Sequence, residues 1–176
     1  MLRTYPTRFA QARLFEPDVF ADERGYFKET YARRKYAEVG LDAVFVQDNV
    51  SRSHRHVLRG MHYDARLAKL VQCLAGRVYD VIVDARVDSP SYLEWESYEL
   101  SEANHRQLFV PAGFAHGFLT LSDEALVSYK QTEHYDPDHE RGIGWDDPAV
   151  GIVWPLVEEP IVSAKDRAWP RVGRKG

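Results

Sequence analysis

The sequence predicts an all-β protein, and three observations lead to that prediction. Short runs rich in β-branched and aromatic residues recur along most of the chain, and turn formers such as Ala75-Gly76 and Pro111-Ala112-Gly113 separate them. The runs follow one another at intervals of about 8–12 residues, which is typical of an antiparallel sandwich or barrel. The chain has 176 residues, 44% of them hydrophobic, which suits one sizeable core and would crowd two. We therefore expect a single domain over residues 1–176.

Eight runs are predicted as strands because they combine this composition with flanking turn signals. They cover residues 43–49, 57–63, 69–74, 78–84, 94–100, 107–110, 117–121 and 126–132. One helix is predicted over residues 32–39, ending before Gly40, since glycine commonly follows the last helical residue. After Asp136 the alternation stops, and the prolines and tryptophans there predict loops and a short helix packed on the body.

Composition and charge exclude several classes of protein. A single cysteine, Cys73, rules out an internal disulfide framework and fits a reducing compartment. The longest apolar runs, such as Val81-Ile82-Val83, are far too short to span a membrane, and the first residues lack the apolar core of a secretion signal. The net charge of −4 argues against general nucleic-acid binding. We expect a soluble, cytoplasmic protein with neither nucleic acid nor membrane as a partner.

The charge is distributed unevenly along the chain. Residues 51–72 contain five Lys or Arg residues, one acidic residue and three histidines, within a chain that is acidic elsewhere. A local anionic ligand explains such a basic segment better than a polyanion, which the rest of the chain would repel. From charge alone, a solvated basic loop is an equally good explanation.

Polar residues inside predicted strands are the candidates for a functional site. A β-barrel of this size has an open mouth where a small ligand can bind. A buried polar group costs free energy unless it has a partner, so polar residues in strands need a reason. Each one alone is more often structural, but a group of six in neighbouring strands favours a site. The six are Arg59, His62, Lys69, His116, Tyr129 and Lys130.

One motif resembles half of a cupin signature. Residues 111–116 have the form P-x-G-x-x-H, in which the turn directs His116 into the barrel. The other half needs H-x-H followed by a carboxylate; His54 and His56 supply the histidines, but Gly60 and Met61 stand where the carboxylate is required. A metal site made from these three histidines would lack its usual fourth ligand, so we expect no metal.

Longer blocks match in order over nearly the whole chain. They are Phe20-Ala-Asp-Glu-Arg-Gly-Tyr-Phe-Lys-Glu-Thr-Tyr31, Gln47-Asp-Asn-Val-Ser-Arg-Ser53, Val57-Leu-Arg-Gly-Met-His62, Lys69-Leu-Val71, Asp80-Val-Ile-Val-Asp84, Ser89-Pro90, Pro111-Ala-Gly-Phe-Ala-His-Gly-Phe118, Tyr129-Lys130, Trp145-Asp-Asp-Pro148, Gly151-Ile-Val-Trp-Pro155 and Ser163-Ala-Lys-Asp166. Together they resemble the dTDP-4-dehydrorhamnose 3,5-epimerase family. The resemblance implies a cupin-type jelly-roll β-barrel with a few short flanking helices, a homodimer with strand exchange, and no cofactor.

The resemblance also implies a reaction and the residues that carry it. The family substrate is a nucleotide-linked 4-keto-6-deoxy sugar, whose C4 ketone acidifies the C–H bonds at C3 and C5. Epimerisation needs a base, an acid on the opposite face and stabilisation of the enolate oxygen. By the resemblance, His62 is the base, Asp166 holds its tautomer, Tyr129 is the acid and Lys69 is the cation near the sugar.

The remaining matched positions are implied to bind the nucleotide sugar. Arg59 and Arg24 correspond to residues that grip the diphosphate, with Arg24 reaching in from the neighbouring subunit, and Tyr135 to the aromatic that stacks on thymine. The further substrate-contact positions are Glu29, Gln47, Asp48, Asn49, His116, Glu140 and Lys165.

Several departures and alternatives qualify the match. Only six residues separate His62 from Lys69, fewer than is usual in the family, and Asp64 and His56 replace the residues common there. Nucleotide or sugar preference can therefore differ. A single-site C3- or C5-epimerase acting on a dTDP-, CDP- or GDP-sugar stays open, as does a non-catalytic nucleotide-sugar-binding cupin. A metal-dependent cupin oxygenase or isomerase is disfavoured by the missing carboxylate.

The spacing of Arg59 and His62 along one predicted strand conflicts with their implied roles. Arg59 and His62 are three residues apart, so strict strand alternation would place their side chains on opposite faces of the sheet. Both are expected to reach the ligand, and Gly60 between them can host a bulge. We therefore expect an irregular strand at this point.

Overall fold

Two sheets that face each other form the body of the protein. The computed structural model describes residues 2–173, within which the chain forms fourteen strands and two short helices; residues 1 and 174–176 of the predicted domain lie outside the described residues. The strands are β1 (Arg3–Tyr5), β2 (Arg13–Glu16), β3 (Val19–Asp22), β4 (Gly25–Lys28), β5 (Gln47–His54), β6 (Val57–Tyr63), β7 (Lys69–Ala75), β8 (Arg77–Asp84), β9 (Trp95–Ser101), β10 (Gln107–Val110), β11 (Phe114–Thr120), β12 (Glu124–Gln131), β13 (Arg141–Gly142) and β14 (Ile161–Val162). The helices are α1 (Arg33–Glu38) and α2 (Ala164–Arg167).

The core lies between the two sheets. One sheet has the order β1-β2-β10-β7-β12-β5; the other has the order β13-β6-β11-β8-β9, with β14 beside β6 as the one parallel pair among the described strands. Val71 and Leu108 of the first sheet meet Ile82 and Phe118 of the second, all buried. Each such side chain contributes about 1.5–3 kcal/mol by leaving water. The prediction of an all-β, cupin-type jelly-roll barrel with short flanking helices is confirmed.

The strand boundaries depend on the partner strands. The strands predicted at 57–63 and 107–110 have those bounds, whereas the strand predicted at 43–49 lies at 47–54 as β5. Its ladder with β12 runs from the Gln47–Gln131 pair to the His54–Glu124 pair, so the partner fixes where β5 begins. The sequence signals miss β1 to β4, β13 and β14, each of which has only two to four residues.

Both predicted helices are present. α1 lies inside the predicted range, and Gly40 follows it at a φ of +92°, a left-handed conformation that glycine adopts without strain. Tyr36 is the buried residue of α1 and packs with Phe15 and Leu70. The short helix expected after Asp136 is α2. No helix within residues 2–173 is long and apolar enough to cross a membrane.

The β3–β4 hairpin stands apart from both sheets and forms its own two-stranded sheet. Phe20, Tyr26 and Phe27 on this hairpin are 61%, 53% and 69% exposed. An isolated hairpin is marginally stable in water, and neighbouring exposed aromatics mark an interaction surface. The hairpin therefore presents exposed aromatic side chains to solvent.

Candidate active site

A cavity of about 480 Å³ opens between the two sheets beside α2. Its volume is in the range of about 300–1,000 Å³ that is common for small-molecule sites. It unites predicted residues from distant parts of the sequence, because β6 and β11 form one wall and β7, β12 and α2 the others. The predicted site residues that line it are Arg59, His62, Lys69, His116, Tyr129, Lys165 and Asp166.

A bulge in β6 directs two of these side chains to the same side. His62 is the Cα partner of His116 and Arg59 that of Phe118, so three steps along β6 oppose two along β11. Gly60 lies in this bulge at a φ of +132°, and a Cβ there would lie 2.6 Å from the backbone of the facing strand. Both Arg59 and His62 consequently line the cavity, and the predicted irregularity is confirmed.

His62 is held by a buried carboxylate. Its Nε2 lies 2.6 Å from Asp166 Oδ1, and the Gly60 amide donates to Asp166 Oδ2 at 3.2 Å. The N–H of Asp166 in turn donates to the hydroxyl of Ser163, the N-cap of α2. Burial alone would raise the pKa of Asp166, but the hydrogen bonds, above all that with His62, hold this pKa below its ordinary value. The ionised carboxylate fixes Nε2, which leaves Nδ1 as the nitrogen that can exchange a proton.

A second histidine–aspartate pair lies next to the first. His116 Nε2 lies 3.0 and 2.9 Å from the two carboxylate oxygens of Asp80 on β8, which is fully buried. Asp80 was not among the predicted site residues. The available signal was an aspartate within the apolar run of β8, where a charge needs a partner.

Burial in the cavity wall shifts the pKa values of Lys69 and Tyr129 in opposite directions. Burial lowers the pKa of the Lys69 ammonium to about 8, although the carboxylates of Glu140, Asp80 and Asp64 act in the opposite direction. Burial raises the pKa of Tyr129, so its phenol keeps its proton at neutral pH. The cavity therefore holds a cation and a proton donor near one histidine.

A cluster of three predicted residues lies at the rim of the cavity. Glu140 Oε2 accepts hydrogen bonds from the ammonium of Lys165 and from the Tyr135 hydroxyl, the latter at 3.0 Å. Its other oxygen, Oε1, lies 4.0 Å from Nδ1 of His62. Burial would raise the pKa of Glu140, but these two donors lower it overall. Tyr135 is 48% exposed, so its ring is open to a stacking partner.

The predicted residues of β5 are near this rim but do not line the cavity. Gln47 donates to Asn49 Oδ1 at 3.0 Å and accepts from the Tyr135 amide at 2.9 Å, which connects β5 to the rim cluster. Asp48 points to the opposite face and pairs with Lys130 at 2.8 Å.

Arg59 is held by residues of β5, a strand of the other sheet. Its Nε donates to the Ser53 hydroxyl at 2.9 Å, and its Nη2 to the carbonyl of Arg52 at 3.2 Å. A guanidinium has five N–H donors in a rigid fork, so these two bonds leave others for an anion in the cavity.

Arg24 and Glu29 lie away from the cavity. Arg24 is at the tip of the β3–β4 hairpin, where it pairs with Asp22 and is largely exposed. Glu29 pairs with Lys35 at 2.9 Å and lines a separate groove beside α1. Within one subunit these two residues do not join the other predicted site residues, and their roles stay predictions.

The short segment between β6 and β7 is tightly folded. Asp64 is buried and accepts from both the backbone and the guanidinium of Arg66, whose hydrogen bonds lower the pKa of this carboxyl. The Gly113 amide donates to the Asp64 carbonyl at 3.1 Å and ties the segment to the turn before β11. Asp64 and Lys69 both line a separate small cavity of about 30 Å³ next to His62.

The three histidines of the cupin-like motif do not meet. His54 points outward to Glu124 at 3.4 Å, and His56 pairs with Glu158 at 2.7 Å. Among residues 2–173 there is no group of three or more His, Cys, Asp or Glu side chains that could hold a metal ion.

Comparisons with known proteins identify the family. The family model described as dTDP-4-dehydrorhamnose 3,5-epimerase matches residues 6–173. The dTDP-4-dehydrorhamnose 3,5-epimerase of Methanothermobacter thermautotrophicus is 50% identical over 171 residues, which are 95% of this chain and 92% of that protein.

Two solved structures extend the comparison to the fold. The dTDP-6-deoxy-D-glucose-3,5-epimerase of Legionella pneumophila, in complex with dTDP-4-keto-L-rhamnose, has a TM-score of 0.93 and 43% identity, covering 96% of this chain and 92% of that one. ChmJ, a 3'-monoepimerase from Streptomyces bikiniensis in complex with dTDP-quinovose, has a TM-score of 0.90 and 33% identity, covering 95% and 86%. The same fold thus carries both double and single epimerases.

Proposed function

The chain belongs to the dTDP-4-dehydrorhamnose 3,5-epimerase family, and we propose that it converts dTDP-4-dehydro-6-deoxy-D-glucose into dTDP-4-dehydro-L-rhamnose. It is an isomerase of the sugar-nucleotide epimerase type. One observation carries the proposal of catalysis rather than binding alone. The His62–Asp166 pair lines the same cavity as Lys69 and Tyr129, so a base, a cation and a proton donor surround one sugar-sized space.

The first half of the proposed reaction is proton removal. The C4 ketone makes the protons at C3 and C5 acidic, and Nδ1 of His62 takes the proton as the C–H bond breaks. The electron pair of the broken C–H bond forms a C=C double bond to C4, and the negative charge of the resulting enolate lies on the C4 oxygen. The ionised Asp166 stabilises the imidazolium, and the ammonium of Lys69 stabilises the enolate.

The second half returns a proton to the opposite face. The Tyr129 hydroxyl donates this proton, the C–H bond forms and the C4 ketone is restored. Solvent then reprotonates the phenolate and removes the proton from His62, so no group is consumed. Carrying out this sequence once at C3 and once at C5 inverts both centres. The raised pKa of Tyr129 supports its role as the acid, because the phenol arrives protonated.

The nucleotide is proposed to occupy the rim. Arg59 offers its remaining donors to the diphosphate, and the exposed ring of Tyr135 stacks on the base, with Glu140, Lys165 and the Gln47–Asn49 segment around it. His116, held by Asp80, forms the wall behind the sugar.

We further propose that two copies of the chain form a homodimer with strand exchange. The exposed aromatics of the β3–β4 hairpin support this, because a dimer would cover them. Arg24 at the hairpin tip would then reach the diphosphate of the neighbouring subunit, which explains its distance from the cavity of its own chain.

The family match over residues 6–173 supports a single domain. The free, buried Cys73 favours a reducing compartment, and we place the enzyme in the cytoplasm.

The test is proton NMR of the protein with dTDP-4-keto-6-deoxyglucose in D2O. The proposal expects deuterium at both C3 and C5. Exchange at C3 alone would favour a single-site enzyme, the second candidate, which the similarity to the 3'-monoepimerase ChmJ supports. If neither this substrate nor its CDP- and GDP-linked analogues exchanged deuterium, the proposal would be overturned. The protein would then be a non-catalytic binding protein.

A further inference from the structure

Trp169 lies just beyond α2, and its ring packs against the proposed base. The Trp169 and His62 ring centroids are 5.8 Å apart, with an angle of 64° between the ring planes. This edge-to-face arrangement is a favourable geometry for aromatic rings. Nothing in the function proposed above uses this side chain.

A glycine makes room for the indole. Gly142 on β13 is the Cα partner of His62 on β6, so the two residues lie side by side. A Cβ at Gly142 would lie 2.1 Å from the Trp169 ring, far inside van der Waals contact. The indole therefore lies directly on the backbone of the strand that pairs with the one carrying His62.

Hydrogen bonds hold the chain on both sides of Trp169. On one side α2 carries Asp166, whose carboxylate is bound to His62. On the other side the carbonyl of Pro170 accepts from the Gly144 amide at 3.1 Å, and the Val172 amide donates to a buried aspartate, Asp147. The ring position is consequently determined from both directions.

Trp169 also contacts the rim cluster. The ammonium of Lys165 lies 5.7 Å from the Trp169 ring centroid and 5.8 Å from that of Tyr135, within cation–π range of both. The same ammonium bonds Glu140. One indole thus touches the histidine of the acid–base site and the lysine of the nucleotide rim.

We propose that Trp169 is a positioning residue for the epimerisation. Its ring restricts the imidazole of His62 to the orientation in which Nε2 meets Asp166 and Nδ1 remains free. It also holds the ammonium of Lys165 at the rim. The inference rests on the proposed function for its link to turnover, whereas the orientation of His62 can be measured without any reaction.

The experiment compares Trp169→Leu and Trp169→Phe with Trp95→Phe as the control. Phe keeps an aromatic edge against His62 and loses no hydrogen bond, because the indole N–H has no partner among the described residues. Leu removes the ring. Trp95 on β9 packs in the core cluster outside the sheet sandwich and does not line the cavity.

Trp169→Leu should slow deuterium exchange at C3 by about 10- to 100-fold, because small misplacements of reacting groups have effects of this size. The Kd for dTDP should rise by less than about fivefold, since only one of several rim contacts is weakened. Trp169→Phe and Trp95→Phe should stay within about threefold of the unmodified protein in both measurements. The 15N spectrum of His62 in the dTDP complex should change in Trp169→Leu and remain unchanged in the two Phe variants.

The proposal is overturned if Trp169→Leu exchanges C3 at the original rate, or if its melting temperature falls while the His62 spectrum stays the same. If the Leu variant does not fold, Trp169→Met fills a similar volume without an aromatic ring and is held to the same criteria. Should the unmodified protein show no exchange, the proposed function fails, and the His62 spectra still decide the role of Trp169.

Discussion

Two histidine–aspartate pairs lie side by side in this protein, and they differ in their access to solvent. His62 and His116 are cross-strand partners in one sheet. The side chains of His62 and Asp166 are 27% and 6% exposed, whereas those of His116 and Asp80 are 8% and 0% exposed. Both imidazoles bond a carboxylate through Nε2.

The difference follows from where each carboxylate is attached. Asp80 belongs to β8, a central strand of the same sheet as His116, so that pair is fixed inside the sandwich. Asp166 belongs to a four-residue helix packed outside β6, which leaves one side of His62 open to the cavity. The same two side-chain types thus form a partly exposed pair beside the cavity and a buried pair in the cavity wall. In the proposed function the first pair exchanges protons and the second supports the wall.

The largest expected effect is the loss of His62. His62→Ala should slow C3 deuterium exchange by about 10²–10⁴-fold, the usual contribution of a general base, while dTDP binding stays nearly intact. His54→Ala is the matched control, because His54 points to solvent on β5. NMR exchange rates and calorimetric dTDP titration measure the two properties. Exchange at the original rate in His62→Ala would remove it as the base.

The two aspartates separate the pairs directly. Asp166→Asn should lower turnover by about 10²–10⁴-fold, because an amide cannot stabilise the imidazolium. Asp80→Asn should instead mainly reduce the free energy of unfolding, by about 1–3 kcal/mol, because it weakens a fully buried hydrogen-bonded pair. Turnover assays and urea unfolding of both variants give the comparison. If Asp80→Asn lowered turnover and Asp166→Asn lowered only the stability, His116 would be the catalytic base in place of His62.

Tyr129→Phe tests whether removal and return of the proton use different groups. The variant should reduce net inversion by about 10²-fold but affect the first proton abstraction less, because the phenol acts only in the second half. Product formation and deuterium wash-in, followed in the same sample, report the two steps. Equal losses in both would assign Tyr129 to binding or to proton removal.

The smallest expected effect is the pH dependence from Lys69. Burial lowers its pKa to about 8, so the stabilising positive charge is present below that pH and is lost above it. Turnover should fall about tenfold for each further pH unit if the charge is essential. Lys69→Arg keeps its charge to much higher pH, so the alkaline limb of its kcat profile should move upward. An unmoved limb would assign the titration to another group.

The lowered pKa of Lys69 also makes the free energy of unfolding depend on pH. The unfolded chain keeps the ordinary lysine pKa of 10.5, so between pH 8 and 10.5 it binds more protons than the folded protein does. The free energy of unfolding therefore receives a contribution from Lys69 that increases as pH rises through this window. Urea unfolding of the Lys69→Met variant, which has no group to titrate there, is the reference.

The all-β class, α1 with its glycine stop and the bulge at Gly60 were all predictable from the sequence, because they depend on local composition and backbone freedom. The three-residue spacing of Arg59 and His62 required an irregular strand only because the family resemblance implied that both side chains reach the ligand. Seven predicted residues line one cavity; five of them were already candidates as polar residues in predicted strands, and Lys165 and Asp166 came from the resemblance to a family. Period-2 alternation alone would have placed Arg59 and His62 on opposite faces.

Other features depended on the tertiary structure. Nothing local in β5 says that it begins at Gln47, because its ladder with β12 decides that. Asp80 becomes a histidine partner only through the pairing of β8 with β11, and Trp169 reaches His62 only because β13 offers Gly142 beside β6. The sequence by itself determined the strands, turns and the kinds of side chain available, since these follow from neighbouring residues. Only the tertiary structure decided which histidine is partly exposed at the cavity and which is buried in its wall, because burial and proximity arise from contacts between residues far apart in the chain.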